Sequence, residues 1–307
     1  PPRWLTKTTA AERRAGDGDA VTDFMGTYAR ITKDTIAGKV GDLIVPRPWQ
    51  RELHRALYAR RLSDGRRKHR QALIGTARKN TKSTSGSSIG LFALTCEVDG
   101  AEVYSCAADK EQAKIVFGTA KRMVELDPEL SEIITTYRDA LEVPSPGSVY
   151  RALSSEAFTK EGLNPSTVLF DELHAQPNRE LWDVMNLGGG AREEPIVIAL
   201  TTAGVRVDGL GHQRVIRGEI EDPSFFMAWW EPRRGAAADP ADPEVQREAN
   251  PGYGDLVDPE DLAATLPPRT PESEYKTKRL NLFVAGRQTA LPHGIWDKRA
   301  DPPSRSC

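Results

Sequence analysis

The sequence predicts an α/β fold in three layers, with helices on both faces of a mostly parallel sheet and a small helical segment at the C-terminal end. Three observations predict it. Strand-like and helix-like segments alternate from about residue 70 to 205, two short apolar runs at 167–170 and 195–200 end abruptly in polar residues, and a basic, Ser/Thr-rich loop joins the first strand to the helix after it. Such alternation implies right-handed crossovers, burial of the sheet on both faces, and sites at the carboxyl ends of the strands.

The elements follow in order. Residues 1–45 read as an N-terminal extension whose first 30 residues are polar, loosely ordered or helical on the surface. The start at Pro1, without an initiator methionine or a secretory apolar stretch, reads as an internal fragment or a processed start. Pro48 then opens a helix that places Trp49, Leu53, Leu57 and Leu62 on one stripe. A strand over 71–74 ends at Gly75, and a helix spans 83–94. A second strand covers 101–106, an amphipathic helix runs from Asp109 to Leu126 and is closed by Pro128, and another strand covers 149–153. Past Pro232 the composition shifts to Ala, Asp, Pro and Gly through Gly254, a connector leading to a small helical segment at 258–283. The division is therefore 1–45, a main unit at 46–235, and 236–307, which ends in a polar, Pro-containing tail.

Bulk properties exclude several classes. The chain has 307 residues, 38% hydrophobic and 28% charged, with no apolar run approaching the roughly 20 residues that cross a bilayer, so a soluble protein without membrane contact is expected. Cys96, Cys106 and Cys307 stand in no CxxC spacing and His174 has no companion ligand in sequence, which excludes a disulfide framework or a zinc site of the usual spacing. A net charge of −2 argues against a globally basic nucleic-acid binder but leaves room for a local patch. Arg60-Arg61 with Arg66-Arg67-Lys68-His69-Arg70 is such a cluster, to be weighed against a solvated surface loop.

The chemistry concentrates at two strand ends. After the strand at 71–74, Gly75-Thr76-Ala77-Arg78-Lys79-Asn80-Thr81-Lys82-Ser83 has the layout of a phosphate-binding loop (Walker A), continuing to Thr84. Lys82 would reach the β- and γ-phosphates of ATP and Ser83 would hold Mg²⁺. Thr76 and Thr81 stand where the usual pattern has glycines, and Gly75 is displaced by one. Alone, the loop reads equally well as a basic surface turn. Val168-Leu169-Phe170-Asp171-Glu172 is the second feature, an apolar strand ending in two carboxylates (Walker B). Asp171 would bind Mg²⁺, while Glu172, on the opposite side of the pleat and aimed into the cleft, would polarise an attacking water. The bland alternative is an acidic pair in the first turn of a helix. Gln50 carries an amide that matches an adenine edge, against a solvent-facing glutamine. Thr201 and Thr202 could contact the catalytic water or the γ-phosphate and couple hydrolysis to the rest of the protein, against simple turn chemistry.

Taken together these segments resemble the large subunit of tailed-phage terminases, over about residues 45–296. Pro46-Arg47-Pro48-Trp49-Gln50 is similar to that family's adenine motif, and Ala77-Arg78-Lys79-Asn80-Thr81-Lys82-Ser83 to its deviant phosphate loop. Val103-Tyr104-Ser105-Cys106 with Asp109, Gln112 and Ala113 resembles the strand-helix unit that follows. Gly162, Asn164 and Leu169-Phe170-Asp171-Glu172-Leu173-His174 resemble the second acidic motif, and Thr201-Thr202-Ala203-Gly204 the coupling motif. Ala249-Asn250-Pro251 and Tyr275-Lys276-Thr277-Lys278-Arg279-Leu280-Asn281 resemble the lead-in to the family's nuclease domain.

The resemblance implies a P-loop NTPase fold of the RecA/ASCE type and an ATPase that works as a homo-oligomeric, pentameric ring. It implies a motor docked on the portal protein of an empty capsid, with a small terminase subunit and double-stranded DNA as partners, in the cytoplasm of an infected bacterial host. It also implies a C-terminal nuclease, and because the chain stops soon after Trp296-Asp297, this polypeptide is expected not to cut DNA. Many relatives place an arginine just before the glycine matching Gly162, whereas this chain has Lys160-Glu161-Gly162; Arg78 becomes the preferred catalytic arginine, with Lys160 and Arg192 as weaker options. Two other readings stay open: a helicase-like ATPase, which would need a second motor domain, and a catalytically silent remnant or DNA-binding scaffold.

Overall fold

The computed structural model describes residues 1–154, 162–204, 222 and 224–284. In chain order these form β1 (Trp4–Leu5), α1 (Ala10–Arg14), α2 (Gly18–Tyr28), α3 (Pro48–Leu57), β2 (Gln71–Gly75) and α4 (Lys82–Phe92), which continues into a π-helical stretch at Ala93–Glu97. Then come β3 (Glu102–Ala107), α5 (Lys110–Leu126), α6 (Pro128–Ile133), β4 (Thr135–Thr136), β5 (Ala140–Val143), β6 (Ser148–Ser154), β7 (Thr167–Asp171), α7 (Glu180–Gly188), β8 (Ile196–Thr201) and β9 (Phe225–Trp229). Three short helices follow, α8 (Pro243–Ala249), α9 (Pro259–Ala264) and α10 (Glu272–Leu280).

The strands make one nine-stranded sheet in the order β1-β9-β2-β8-β7-β3-β6-β5-β4. Pairing is parallel from β9 through β6 and antiparallel at both edges, where β1 meets β9 and β4–β5–β6 runs as a meander. The expected mostly parallel α/β architecture is present. Its apolar runs are continuous because both faces are covered: along β8, Ile196, Ile198 and Leu200 join the cluster under α2–α5, while Val197 and Ala199 join the cluster that includes Leu181, Trp182 and Met185 of α7.

Three expectations need correction. The first 30 residues are not a loose surface extension: Val21, Phe24 and Met25 of α2 are buried in the main core beside α3 and α4, at about 2 kcal/mol for each such side chain, and β1 adds an edge strand. The stripe of α3 ends at Leu57, leaving Leu62 outside the helix and exposed. The stretch after Pro232 is not a bare connector, since α8 is capped by Asp242 and its Val245 and Ala249 pack with Tyr275, Leu280 and Leu282. The segment from Asp301 onward lies outside the described residues.

The α2–α3 contact contains a buried imidazole. The Thr22 hydroxyl donates to the Gly18 carbonyl (2.8 Å), so at 3.0 Å from His54 Nδ1 it has only lone pairs to offer, and Nδ1 carries the proton. His54 Nε2 is buried without a partner. Burial, helped by the charge of Arg51, lowers the His54 pKa to about 4. Above pH about 6.5 His54 is neutral folded and unfolded; below it the unfolded chain takes the proton first, so stability is lost as pH falls from about 6.5 to 4, by about 3 kcal/mol in all. Chemical denaturation across that range should show this loss, and His54→Asn, which keeps an N–H donor in place, should flatten it. An unchanged slope in the variant would count against the buried neutral imidazole.

Candidate functional site

Register brings the site together. Gly75 pairs with Thr201, and Asp171 with Leu200, so the carboxyl ends of β2, β8 and β7 lie side by side. Everything that follows hangs from those three ends.

Gly75 serves the strand rather than the loop. A Cβ there would meet the Trp229 ring at 2.0 Å, so only glycine lets β2 and β9 close with that indole between them. Beyond it, Lys79 (φ 73°) and Thr81 (φ 57°) take left-handed backbone conformations and reverse the chain into α4. For β-branched Thr81 that conformation is strained by about 1–3 kcal/mol, at the position where the usual loop has glycine.

Lys82, the first residue of α4, turns its ammonium back into this loop. Nζ donates to the carbonyls of Thr76 (3.1 Å) and Ala77 (3.3 Å) and to the Thr202 hydroxyl (2.9 Å). Burial pushes its pKa down, opposed by the carboxylates of Glu172 and Asp171. Ser83 Oγ donates to Asp171 Oδ2 at 3.2 Å, while Asp171 Oδ1 is buried with no partner. Burial, and secondarily the charge of Glu172, push Asp171 up to about 6. A serine hydroxyl beside a carboxylate with one oxygen unclaimed is a hard-oxygen donor set that suits Mg²⁺.

Glu172 does not lie on the pleat as expected. It leaves β7 in a left-handed conformation (φ 50°), so strand alternation does not set its direction. Its Oε2 accepts from His174 Nδ1 (3.1 Å) and from the Thr202 N–H (3.3 Å). Burial alone would raise this carboxyl, but the hydrogen bond from His174, the Lys82 charge and the Thr202 amide bring it down to about 2. Thr202 thus touches both Lys82 and Glu172. Thr201 uses its hydroxyl on Thr202 O (3.0 Å) and on the His174 backbone N–H (3.2 Å).

Gln50 is buried, which removes the solvent-facing alternative, but its amide is committed within the protein. Oε1 accepts from Arg47 N (2.8 Å), closing the start of α3, and Nε2 lies 3.4 Å from both Thr81 Oγ1 and Ser85 Oγ. With Lys79, Thr81, Ser83 and Thr84 it lines a cleft of about 640 Å³, walled also by residues of the 31–37 loop and 256–258. Sequence reasoning missed both walls, and missed the contact of Arg47, whose guanidinium grips Asp255 through two 2.7 Å hydrogen bonds beside the cleft.

Asn80, counted with the phosphate-binding loop, turns its side chain away from it. Its amide is buried and turned to the C-terminal segment, donating to Asn250 Oδ1 (2.8 Å) and accepting from Gly252 N (3.1 Å), so only its backbone is left to a ligand in the loop. Arg78 is exposed, and its N–H donates to Lys278 O (2.9 Å). Lys160 and Glu161 lie outside the described residues. Arg192 is ruled out as a finger within this subunit, because it bonds to the Asn164 and Gly100 carbonyls at the opposite, amino-terminal edge of the sheet. Most of the 60–70 basic cluster is spent on acids: Arg60 on Asp17 and Glu194, Arg61 on Asp64, Arg66 on Glu193, Arg67 on Glu97 and Lys68 on Glu12, while His69 and Arg70 bond to the Leu57 and Glu193 carbonyls.

Comparison with known proteins gives a consistent result. The family model described as the ATPase domain of the terminase large subunit matches residues 48–217, just over half of the chain. The terminase large subunit of Enterobacteria phage HK97 is 27% identical over 297 residues, covering 93% of this chain and 57% of that protein. Protein YmfN of Escherichia coli K12 is 26% identical over 151 residues, 46% of this chain and 33% of its own length. The chain therefore spans about half the length of its phage relative or less of the bacterial one. The crystal structure of the HK97 large terminase superposes with a TM-score of 0.74 at 25% identity, over 87% of this chain and 55% of that one. The large terminase ATPase domain of Thermus phage P74-26 shares the fold at a TM-score of 0.50 and 18% identity, over 78% of this chain and all of that one.

The Asn80 contacts give a prediction of their own. Asn80→Ala leaves the buried Asn250 Oδ1 and Gly252 N–H without partners, which should lower unfolding stability by about 1–3 kcal/mol in urea titrations. Wild-type stability would show that the clasp contributes nothing.

Proposed function

Because the chain belongs to the terminase large subunit ATPase family, we propose that it binds and hydrolyses ATP at the β2–α4 loop and that hydrolysis drives double-stranded DNA into a procapsid. The observation that carries this reading is the convergence at three adjacent strand ends of Lys82 and Glu172, both hydrogen-bonded to Thr202, with Ser83 hydrogen-bonded to Asp171. Phosphoryl transfer needs little beyond positioning and charge around the γ-phosphate, and those are the groups it needs.

In this reading the backbone of residues 79–81 and the Lys82 ammonium hold the phosphates, with Lys82 exchanging its carbonyl partners for phosphate oxygens. The adenosine end lies in the cleft beside Gln50 and Thr84. Ser83 and Asp171 would hold Mg²⁺, whose charge would offset that of the phosphate oxygens. Glu172, kept ionised at neutral pH by the contacts that hold its pKa down, accepts a hydrogen bond from the attacking water and polarises it. Arg78, exposed at the loop, supplies further positive charge. Thr201 and Thr202 report the state of the phosphate to the rest of the chain. The presence of all these side chains in one constellation weighs against a silent remnant. Partners follow from the family: a portal protein, a small terminase subunit and further copies of this chain in a pentameric ring, in the host cytoplasm. No helix of the described residues is long and apolar enough to cross a membrane.

Steady-state MgATP hydrolysis with and without double-stranded DNA tests the proposal. Glu172→Gln should lower kcat by about 10²–10⁴-fold while leaving nucleotide binding intact. Lys82→Ala should weaken nucleotide binding as well as turnover. Equal rates in all three proteins would end the ATPase reading. Asp171→Asn should raise the Mg²⁺ concentration needed for half-maximal turnover by about tenfold or more, since it removes the charged oxygen donor; an unshifted Mg²⁺ titration would place the ion elsewhere.

A further inference from the structure

His174 follows the acidic pair by two residues, in the short 3₁₀ turn Leu173–Ala175, and none of the roles above is its own. Its environment fixes its proton. The Thr201 hydroxyl already donates to Thr202 O (3.0 Å), and Thr201 Oγ1 accepts from the His174 backbone N–H (3.2 Å). Toward His174 Nδ1, 3.2 Å away, that hydroxyl has only a lone pair left. The Glu172 carboxylate, 3.1 Å from Nδ1, is likewise an acceptor. A nitrogen facing two acceptors must carry hydrogen, so Nδ1–H is shared between Glu172 Oε2 and Thr201 Oγ1. Gly204 makes room for the ring, because a Cβ there would come within 3.0 Å of His174 Cβ.

The consequence falls on Glu172. Its Oε2 is held from two sides, by Nδ1–H of His174 and by the Thr202 N–H at 3.3 Å, while no hydrogen bond to Oε1 is seen among the described residues. A carboxylate on a flexible side chain that has just left its strand in a left-handed turn has no other reason to keep one orientation. We infer that His174 is a positioning residue: its Nδ1–H fixes Oε2 of Glu172, leaves Oε1 as the acceptor for the water proton, and ties that orientation to the Thr201–Thr202 pair at the end of β8. The inference rests on the reading of Glu172 as the base. It makes the histidine part of the catalytic unit rather than a by-product of the turn, and it makes Thr201 act through His174 rather than on the phosphate.

Asparagine and glutamine separate this role from a structural one, because the Asn amide nitrogen occupies the place of Nδ1 whereas that of Gln falls near Nε2. Hydrolysis of MgATP, equilibrium binding of a non-hydrolysable analogue with Mg²⁺, and thermal unfolding would be measured for wild type, His174→Ala, His174→Asn, His174→Gln, Glu172→Gln and the double variant His174→Ala/Glu172→Gln. We expect His174→Ala to lose about tenfold or more in kcat with KM and analogue binding unchanged. His174→Asn should recover most of that loss and His174→Gln little of it. In the Glu172→Gln background His174→Ala should cost nothing further, because the group it positions is already gone. The inference is overturned if His174→Ala turns over like wild type, if its effect lies in KM, or if the single losses multiply in the double variant. Should His174→Ala fail to fold, the asparagine and glutamine variants decide alone, and equal rates in those two overturn it. Wild-type turnover in Glu172→Gln would instead strike at the base assignment and leave the histidine geometry standing, so the two failures are distinguishable.

Discussion

A buried ammonium must be surrounded by oxygen, and in this chain the oxygens that surround Lys82 come from two different strand ends. Thr76 and Ala77 follow β2, and Thr202 follows β8. They meet only because β2 and β8 are adjacent and parallel with Gly75 opposite Thr201. A slip of one residue would turn Gly75 away from Trp229 and reverse the faces of both strands, and with a sheet buried on each side that slip is forbidden. Crossover order thus does chemical work: the strand carrying the acidic pair sits on the far side of β8, so Thr202 is interposed between lysine and glutamate and bonds to both.

Charge at the site is arranged by the same contacts. Two adjacent carboxylates in a poorly hydrated cleft cannot share one environment, and here they do not. Asp171 is left with an unclaimed oxygen and is driven up to about 6, while Glu172 receives two N–H donors and is drawn down to about 2. Neighbours of opposite tendency are the usual mark of divided labour between two acids. On the proposed reading, the group that takes up a cation is the one kept short of partners, and the group that stays ionised is the one given them.

Much of this was legible in the sequence because local pattern and tertiary role coincide. Parallel strands buried on both faces read as uninterrupted apolar runs, and those at 167–170 and 195–200 were found with their polar ends. The segment Phe225–Trp229 is as apolar, but a short uninterrupted apolar run gives period counting nothing to distinguish strand from helix. The buried face of α2 was hidden by its polar surroundings, since its large apolar residues turned inward are Val21, Phe24 and Met25, and small or polar Gly18 and Thr22 complete the face. Gln50, Lys82 and Asp171 were visible as residue types at strand and helix ends. Arg47, Asp255 and the direction of Asn80 were not, because they depend on how residues 250–281 fold back, and that return has no local signal.

That return also answers the oddity of the loop itself. Glycine normally stands where Thr81 does because φ is positive there, and a β-branched residue in that conformation survives only where its surroundings leave it no alternative. The surroundings are the residues that sequence proximity does not supply. Asn80 is pinned by Asn250 and Gly252, the Arg78 N–H by the Lys278 carbonyl, and the Thr81 hydroxyl lies against the Gln50 amide. On the other side of the site, Asn281, itself left-handed at φ 55°, accepts from the Ala203 N–H just past the threonine pair and donates to the Trp230 carbonyl beside β9. The 78–81 loop and the turn after β8 are therefore fastened to the returning stretch at 250–281 by asparagine amides, each able to donate and accept at once. Backbone freedom that glycines would have given the loop has been replaced by constraint from outside it, and the loop keeps its shape through contacts made 170 residues downstream.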